Sequence, residues 1–321
     1  MADHADDDRG DGFIYRGGRA PQHITHALID KSVDEIEENA FYNCENLLTV
    51  ETHDGLRKIG KRAFWGCWLL RRINLKSVVE IDGYAFYYDN LESVEFGDRL
   101  ETIGEYAFNG CNSLQHLKLP SVITIGRSAF FYCKRLTDVQ LSERLETIGR
   151  IAFAGCERLQ RIAIPLRRDL FEYDYEHLRY NQFSFCEQLT TVDLVGGIHK
   201  TVASLHMESW RTEMIAEINR INQVLPNTHA DEKTDEVQQW MNSVIDKMDR
   251  YKAEHYRYVK EGITLLELAL WKAKLGENEE YEAETKPKKA KVDYESARKE
   301  RRITCGADMV IKNVLPFMQL E

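Results

Sequence analysis

Cysteine is the most reactive side chain that recurs regularly in this sequence. Six of the seven cysteines occupy one repeated position, namely Cys44, Cys67, Cys111, Cys133, Cys156 and Cys186. Thiols in such a series can pair as disulfides, bind a metal, or lie buried as small apolar side chains. Zinc binding is not predicted, because the chain has no C-x2-C pair and no histidine set beside the cysteines. Neighbouring coils would sit at a separation that a disulfide tolerates, but we expect a ladder of reduced, buried thiols.

No pattern typical of a catalytic or cofactor site is present. The histidines are scattered along the chain. The sequence contains no H-E-x-x-H motif, no G-x-S-x-G turn and no glycine-rich phosphate loop. We therefore predict no catalytic residue, no cofactor and no metal, and we expect that the protein is not an enzyme.

Aromatic residues form a second recurring set. The residue that follows each Ala-Phe pair is aromatic in three successive repeats, and further aromatics lie at or beside this position later in the chain. The set is Tyr42, Trp65, Trp68, Tyr87, Tyr88, Phe131 and Tyr132. Aromatics displayed on a turn suit binding of a partner. The alternative is that they fold back on their own stack or pack beneath a neighbouring segment.

A repeat of 22 or 23 residues positions both sets. Its form is I-G-x-x-A-F-x-x-C-x-x-L-x-x-φ-x-φ, where φ is apolar, and one full copy begins at Ile103. The sequence contains seven copies. The third is one residue short and has Asp89 near the place of the cysteine, and the seventh, around Phe183 and Cys186, is degraded.

The repeat predicts a solenoid. Each copy holds two short strand-like pieces whose apolar residues point inward, as in Leu117-Lys118-Leu119, where the lysine points out. One coil cannot bury these residues alone, but stacked coils form a continuous core with parallel strands between them. We therefore predict a β-rich solenoid of about seven coils, followed by an α-helical C-terminal region.

The signature resembles the BspA-type leucine-rich repeat over about residues 24–195. This family is found on bacterial surfaces and, greatly expanded, in protists and microalgae. The chain from about Val192 resembles the helical tail of diatom-type members. The resemblance implies a leucine-rich-repeat fold and a binding role, and it implies no reaction. The chain departs from the bacterial surface proteins because no signal peptide is visible, which argues against an adhesive role.

Two helices are predicted after Gly197. Apolar residues recur every three or four positions from Trp210 to Leu225, and the first helix is expected to cover the last coil of the solenoid. A second helix over 231–276 keeps the 4-3 spacing of a coiled-coil seam, with Gly262 as a candidate kink. This helix is expected to pair with the first as a hairpin, and the alternative is a homodimer through 231–276.

A charged segment follows the helices. Lys286, Lys288, Lys289 and Lys291 follow an acidic stretch and resemble a nuclear-import signal, although runs of charge are usually only solvated. The net charge of −10 argues against general binding of nucleic acid. The domain prediction is a disordered acidic N-terminus (1–12), a solenoid with an N-terminal cap (13–198), a helical hairpin or C-terminal cap (199–276), a charged linker (277–302) and an apolar C-terminal segment (303–321).

The functional prediction is a non-enzymatic scaffold that binds a protein of unknown identity. Neither a secretory signal nor a run of about 18 apolar residues is visible, so we expect an intracellular protein, cytoplasmic or nuclear, with no membrane partner. The alternative is a nuclear protein that contacts nucleic acid through residues 286–302.

Overall fold

The computed structural model describes residues 12–172, 180–205 and 207–284, the last twelve of them through their backbone alone. By their internal contacts the residues form two compact units. The first is Met1–Thr201 with Ile215–Ile245, and the second is Val202–Met214 with Asp246–Glu321.

Each coil contributes strands to two parallel columns. The first column contains β1 (Phe13–Tyr15), β2 (His26–Ile29), β4 (Thr49–Glu51), β6 (Arg72–Leu75), β8 (Ser93–Phe96), β10 (His116–Lys118), β12 (Asp138–Gln140), β14 (Arg161–Ile164) and β15 (Thr191–Leu194). The second contains β3 (Glu35–Ile36), β5 (Lys58–Ile59), β7 (Glu80–Ile81), β9 (Thr102–Ile103), β11 (Thr124–Ile125) and β13 (Thr147–Ile148).

The strands pair in parallel with equivalent residues in register. The second column is one six-stranded sheet in the order β13-β11-β9-β7-β5-β3, in which Ile103 lies between Ile81 and Ile125. The first column is divided into sheets β1-β2-β4, β6-β8 and β10-β12-β14-β15. This confirms the predicted solenoid fold.

The solenoid has about six full turns, whereas the sequence predicts seven coils. The degraded seventh copy does stack on the sixth, since the rings of Phe153 and Phe183 lie 6.2 Å apart. In the second strand column, however, the described residues of the seventh copy form no strand and pair only through the isolated bridge between Ile148 and Phe171. In sequence, twelve residues separate Phe171 from Phe183, whereas five separate Ile148 from Phe153 in the sixth copy.

A column of phenylalanines fills the centre of the solenoid. The Ala-Phe rings stack with centroid separations of 5.0 to 5.3 Å from Phe41 to Phe153. All of these rings are fully buried. Tyr15 closes the N-terminal end, with its ring 5.1 Å from Phe41 and its hydroxyl accepting the N–H of Glu37. The Ala-Phe pair is thus the core plug of each coil.

The six repeat cysteines form a second buried column. All six are free thiols. In most coils the thiol donates to the carbonyl of the phenylalanine one coil earlier, as Cys67 does to Phe41 at 3.1 Å and Cys133 to Phe108 at 3.3 Å. Burial raises the pKa of the thiols of Cys44, Cys67, Cys111, Cys133 and Cys156, to about 11 at Cys44. A thiol therefore serves here as a small donor that links neighbouring coils.

Asp89 interrupts the cysteine column. It occupies the cysteine position of the third coil, three residues after Phe86. Its side chain is fully buried, and neither carboxyl oxygen has a hydrogen-bond partner. Burial raises the pKa of this carboxyl well above its ordinary value, and the nearby N–H groups of Cys67 and Gly66 offset only part of that rise.

The C-terminal region is helical, as predicted. It contains α1 (Gly197–Val202), α2 (Glu208–Val224), short 3-10 turns at Leu225–Asn227 and Ala230–Glu232, and α3 (Lys233–Glu284). The 52-residue α3 continues through Gly262 and extends beyond the predicted end at 276. Within the described residues, no helix is both long enough and apolar enough to cross a bilayer.

The first turns of α3 and the end of α2 bind the last coil. The Lys233 ammonium is buried and donates to the carbonyls of Cys186, Glu187 and Leu189 at 2.7 to 3.0 Å. The amide oxygen of Asn222 accepts the N–H of Val192 in the edge strand β15 at 2.8 Å. These side chains supply partners for backbone groups that a further coil would otherwise satisfy.

The same parts of α2 and α3 also contact each other. Trp240 is fully buried, and its indole N–H donates to the carbonyl of Glu217 at 3.1 Å. The Ser243 hydroxyl donates to the Glu217 carboxylate at 3.2 Å. Val237 and Val244, which belong to the predicted seam, are fully buried within this unit. This part of the seam is therefore already occupied within the chain.

In the second unit, the ring of Trp210 stacks on Tyr251 with centroids 5.0 Å apart. The Tyr251 hydroxyl donates to the Glu213 carboxylate. Farther along α3 the seam residues Tyr258 and Leu265 are exposed. A homodimer through 231–276 would have to use this second half of the seam.

Candidate interaction surface

The Ala-Phe turn holds the predicted aromatic residues on a rigid flank of the solenoid. The phenylalanine N–H of one coil donates to the alanine carbonyl of the next, as Phe86 does to Ala107 and Phe108 to Ala129, at 2.7 and 2.8 Å. These bonds run along the stack and fix the backbone of each turn. Side chains that leave this backbone are therefore presented in fixed positions.

Tyr42, Trp65 and Tyr87 lie side by side along this flank. The Trp65 ring is 6.0 Å from Tyr42 and stacks on Tyr87 at 4.3 Å. All three are half-buried, and their rings contact each other. Phe131 is also half-buried, two coils later, with its ring 4.1 Å from Tyr132. The structure therefore brings the first three together as one cluster and leaves Phe131 apart from them.

Two further tyrosines extend the cluster, and the sequence analysis missed them. Tyr84 and Tyr106 precede the alanine of their coils, in left-handed conformations with φ of 60° and 56°. Tyr84 lies 5.6 Å from Trp65 and stacks on Tyr106 at 4.8 Å. The Arg62 guanidinium lies 5.6 Å from the ring centres of both Trp65 and Tyr84. The signal in the sequence was a second aromatic three residues before Tyr87.

Aromatic residues next to the cysteine position form a separate, more exposed row. Trp68, Tyr88, Tyr132 and Phe185 are 51, 53, 39 and 39% exposed, and all but Trp68 occupy the position before the cysteine, or before Asp89 in the third coil. The intervening coils have Gly110 and Gly155 at this position. Phe185 was not predicted. Aromatic residues and glycines alternate at this position from the third coil to the seventh, and this alternation could have predicted it.

Burial and a neighbouring hydroxyl raise the pKa of one tyrosine of the cluster, Tyr87. Partial burial raises the pKa of Tyr87 to about 12, and its hydrogen bond with Tyr88 adds to the rise. Its hydroxyl is therefore neutral at physiological pH and bonded to its neighbour Tyr88. Beside Tyr84 a shallow groove of about 340 Å³ adds groups of both charges to the surface. It is lined by Lys61, Asp82, Gly83, Tyr84 and Glu105.

The exposed face of the first strand column is different, because several of its charges pair with each other. Arg161 on β14 binds Asp138 on β12 at 2.8 Å and Asp193 on β15 at 2.6 Å. Lys76 and Glu95 pair in the same way at 2.7 Å. These pairs neutralise part of the charge on this face.

Other sequence predictions have no structural counterpart. Lys286, Lys288, Lys289 and Lys291 lie outside the described residues, and so does the seventh cysteine, Cys305, which is not part of the repeats. Within the described ranges, no group of three or more His, Cys, Asp or Glu side chains is arranged to hold a metal ion.

The sequence of the repeats matches one family profile, described as the BspA type leucine rich repeat region. It matches residues 20–124 and 79–207, with six copies. The chain belongs to this family. The matched ranges include every aromatic residue of the flank, so the cluster and the exposed row are both built on BspA-type repeats.

Several solved structures are similar to this BspA-type chain. A leucine-rich repeat protein of T. pallidum is 30% identical, with 56% of this chain and 83% of that one covered and a TM-score of 0.46. A leucine-rich repeat protein of Bacteroides ovatus is 24% identical, with coverages of 53 and 55% and a TM-score of 0.42. A leucine-rich cell surface protein of Faecalibacterium prausnitzii is 23% identical, with coverages of 53 and 59% and a TM-score of 0.29. No curated protein matches the chain.

Proposed function

We propose that this protein is a non-enzymatic scaffold that binds another protein through the aromatic flank of its solenoid. The observation that carries the proposal is the continuous cluster of Tyr42, Trp65, Tyr84, Tyr87 and Tyr106 across four coils. Contiguous apolar surface of this kind tends to mark an interaction site on a soluble protein.

The cluster is suited to binding because it is preorganised. Its rings contact each other, and the turn backbone beneath them is hydrogen-bonded from coil to coil. A partner would therefore lose little free energy in ordering these side chains. Tryptophan, tyrosine and arginine dominate the binding energy of interfaces, and Trp65, Tyr84 and Arg62 supply all three within one contact group.

The reactive side chains of the solenoid favour a structural role. The cysteine thiols are buried, and burial raises the pKa of Cys133 and Cys156. A thiol acts as a nucleophile only as the thiolate, so these residues are poorly suited to catalysis. Their use as donors between coils also suits a reducing compartment, and we propose an intracellular location on this basis.

The test is to capture partners from the native cell extract, identify them by mass spectrometry and measure their affinity for the Trp65→Ala variant. Alanine is tolerated at this position, because Ala154 occupies it in the sixth coil. We expect a loss of about 1–2 kcal/mol, or roughly 5- to 30-fold, for the partner that uses the cluster.

Tyr256→Ala is the matched control, since Tyr256 is an exposed aromatic on α3 outside the predicted seam, and on a helix rather than a repeat turn. This variant should bind like the parent. Unchanged affinity of the Trp65→Ala variant for every captured partner, with an unchanged melting temperature, would show that the cluster is not the binding surface.

A further inference from the structure

The apolar seam of α3 continues past the start of α2, the helix that pairs with it. Later residues of α3 contact earlier residues of α2, since Trp240 bonds to Glu217 and Tyr251 stacks on Trp210. α2 begins at Glu208, whereas α3 continues well past Tyr251. Beyond Tyr251 the seam keeps its 4-3 spacing, at His255, Tyr258, Gly262, Leu265, Ala269 and Lys272. The seam is therefore longer than the helix that pairs with it.

Large apolar side chains along this part of α3 are exposed. Tyr258 and Leu265 occupy d positions of the heptad and are 50 and 67% exposed. Leu266 and Leu268, at the flanking e and g positions, are 60 and 53% exposed. A contiguous apolar surface on a soluble protein tends to mark an interaction site. This stretch of α3 therefore has the surface of a helix–helix interface.

The small residues of the seam indicate which helix fits it. Gly262 and Ala269 occupy the a positions between the large d residues. A Cβ added at Gly262 would meet no atom within 4 Å, so the space above this glycine is open. Facing layers pack best where a large side chain lies opposite a small one. In an antiparallel pair of helices, the a layers of one helix face the d layers of the other, so α3 is complementary to a reversed copy of itself.

We propose that this face of α3 binds a second copy of the chain, with the two α3 helices antiparallel about a two-fold axis midway between Gly262 and Leu265. Gly262 then faces Leu265 of the second copy, and Ala269 faces its Tyr258. Each pairing occurs twice, because the same surface of both chains is used. The proposal is separate from the aromatic flank, and a dimer would carry one such flank on each protomer.

Lys272 favours the antiparallel arrangement. Both Lys272 and Glu254 are exposed. In the antiparallel pair Lys272 lies beside Glu254 of the second copy, so opposite charges meet at both ends of the paired stretch. A parallel pair in register would place Lys272 against Lys272 and Gly262 against Gly262. That arrangement combines like charges in the seam with a cavity at its centre.

The first test is sedimentation equilibrium of the full chain at micromolar concentrations, where we expect a dimer. Leu265→Glu places a carboxylate opposite Gly262 in both halves of the seam and should weaken the dimer at least about tenfold, because a buried charge without a partner is costly. Tyr256→Glu is the matched control. It adds the same charge to an exposed aromatic of α3 outside the seam, and it should dimerise like the parent.

Both substituted side chains are exposed within a single chain, so neither change should affect folding. Equal helix content of the two variants by circular dichroism would show this.

The second test uses single cysteines to determine the orientation. In the antiparallel pair, two copies of Tyr258, or two copies of Ala269, lie about 16 Å apart along the axis, beyond the reach of a disulfide. In a Cys305→Ser background, a mixture of Tyr258→Cys and Ala269→Cys chains should cross-link with oxidised glutathione, and each variant alone should not. The six repeat cysteines are buried and should not take part.

Three results would overturn the inference. The first is a parent chain that stays monomeric at submillimolar concentration, whether residues 303–321 or another protein then prove to cover this face. The second is a Leu265→Glu dimer as strong as that of the parent. The third is cross-linking of Ala269→Cys chains alone, which would show a parallel pair. None of these results bears on the proposed function, which depends on Trp65.

Discussion

Replacing Asp89 by cysteine should stabilise the protein, by an amount that depends on pH. Asp89 is fully buried, its carboxyl oxygens have no hydrogen-bond partner, and its neighbours in the column are the Cys67 and Cys111 thiols. A cysteine at this position would restore the repeat. Its thiol could donate to the carbonyl of Phe64, as the thiols of other coils do to the equivalent carbonyl.

The magnitude follows from the pKa of the carboxyl. Burial raises the pKa of Asp89 well above its ordinary value of 3.8, so the folded protein holds a proton that the unfolded chain has lost. Between these two pKa values the folded state binds more protons, and the free energy of unfolding therefore falls as pH rises. Over that interval the free energy of unfolding falls by up to about 1.4 kcal/mol per pH unit.

The assay is urea denaturation of the parent and the Asp89→Cys variant between pH 4 and 8. The variant should be nearly as stable as the parent at pH 4. Above pH 4 its advantage should grow with pH, by up to about 1.4 kcal/mol per pH unit. Asp89→Asn separates charge from hydrogen bonding, because it removes the ionisation and keeps a buried polar group that still lacks a partner.

Asp98→Asn is the matched control, since Asp98 is exposed in the same coil. This variant should show no such trend. The reasoning would be refuted by a difference between Asp89→Cys and the parent that stays constant from pH 5 to 8, or by a variant that is less stable than the parent at pH 7.

Four further predictions concern the core, the cap, the thiols and the basic segment. Phe108→Ala empties a plug in a central coil and should cost about 3–5 kcal/mol in urea denaturation, so an unchanged midpoint would contradict a core role. Lys233→Met removes three hydrogen bonds that the ammonium donates to the last coil, and it should lower the free energy of unfolding by about 2–3 kcal/mol. A melting temperature equal to that of the parent would contradict this role. The six repeat thiols should react slowly in the native protein and completely after denaturation, whereas fewer than six free thiols under cytoplasmic redox conditions would disprove the reduced column. Alanine at Lys288, Lys289 and Lys291 should move a fluorescent fusion from the nucleus to the cytoplasm, and a parent fusion already excluded from nuclei would rule out import.

The repeat made the core of the solenoid predictable. Every copy places Ala, Phe and Leu at the same spacing, and alternation within a strand determines which side chains point inward, so residues such as Phe108 and Leu117 could be assigned before the structure was considered. The C-terminal helices were equally clear from their apolar spacing. The end of α3 was not, because the helix continues through Gly276, a residue type that commonly ends helices.

The surface was harder to predict than the core. The position of Tyr88 in the repeat was visible in the sequence, but the way its ring covers Gly110 depends on the backbone of two coils at once. The unpaired state of Asp89 likewise depends on the distances from its carboxyl to groups in the preceding coil. Sequence patterns identify what is repeated. Contacts between non-equivalent positions of different coils require coordinates.

The way in which Lys233 and Asn222 bind the last coil has a consequence for how such chains change length. Both side chains contact backbone groups, the carbonyls of Cys186, Glu187 and Leu189 and the N–H of Val192. Peptide groups are the same in every coil, whatever side chains they carry. A duplication or loss of a whole copy upstream would therefore leave the terminal contacts intact, and the gene can gain or lose repeats without compensating mutations in its 3′ half.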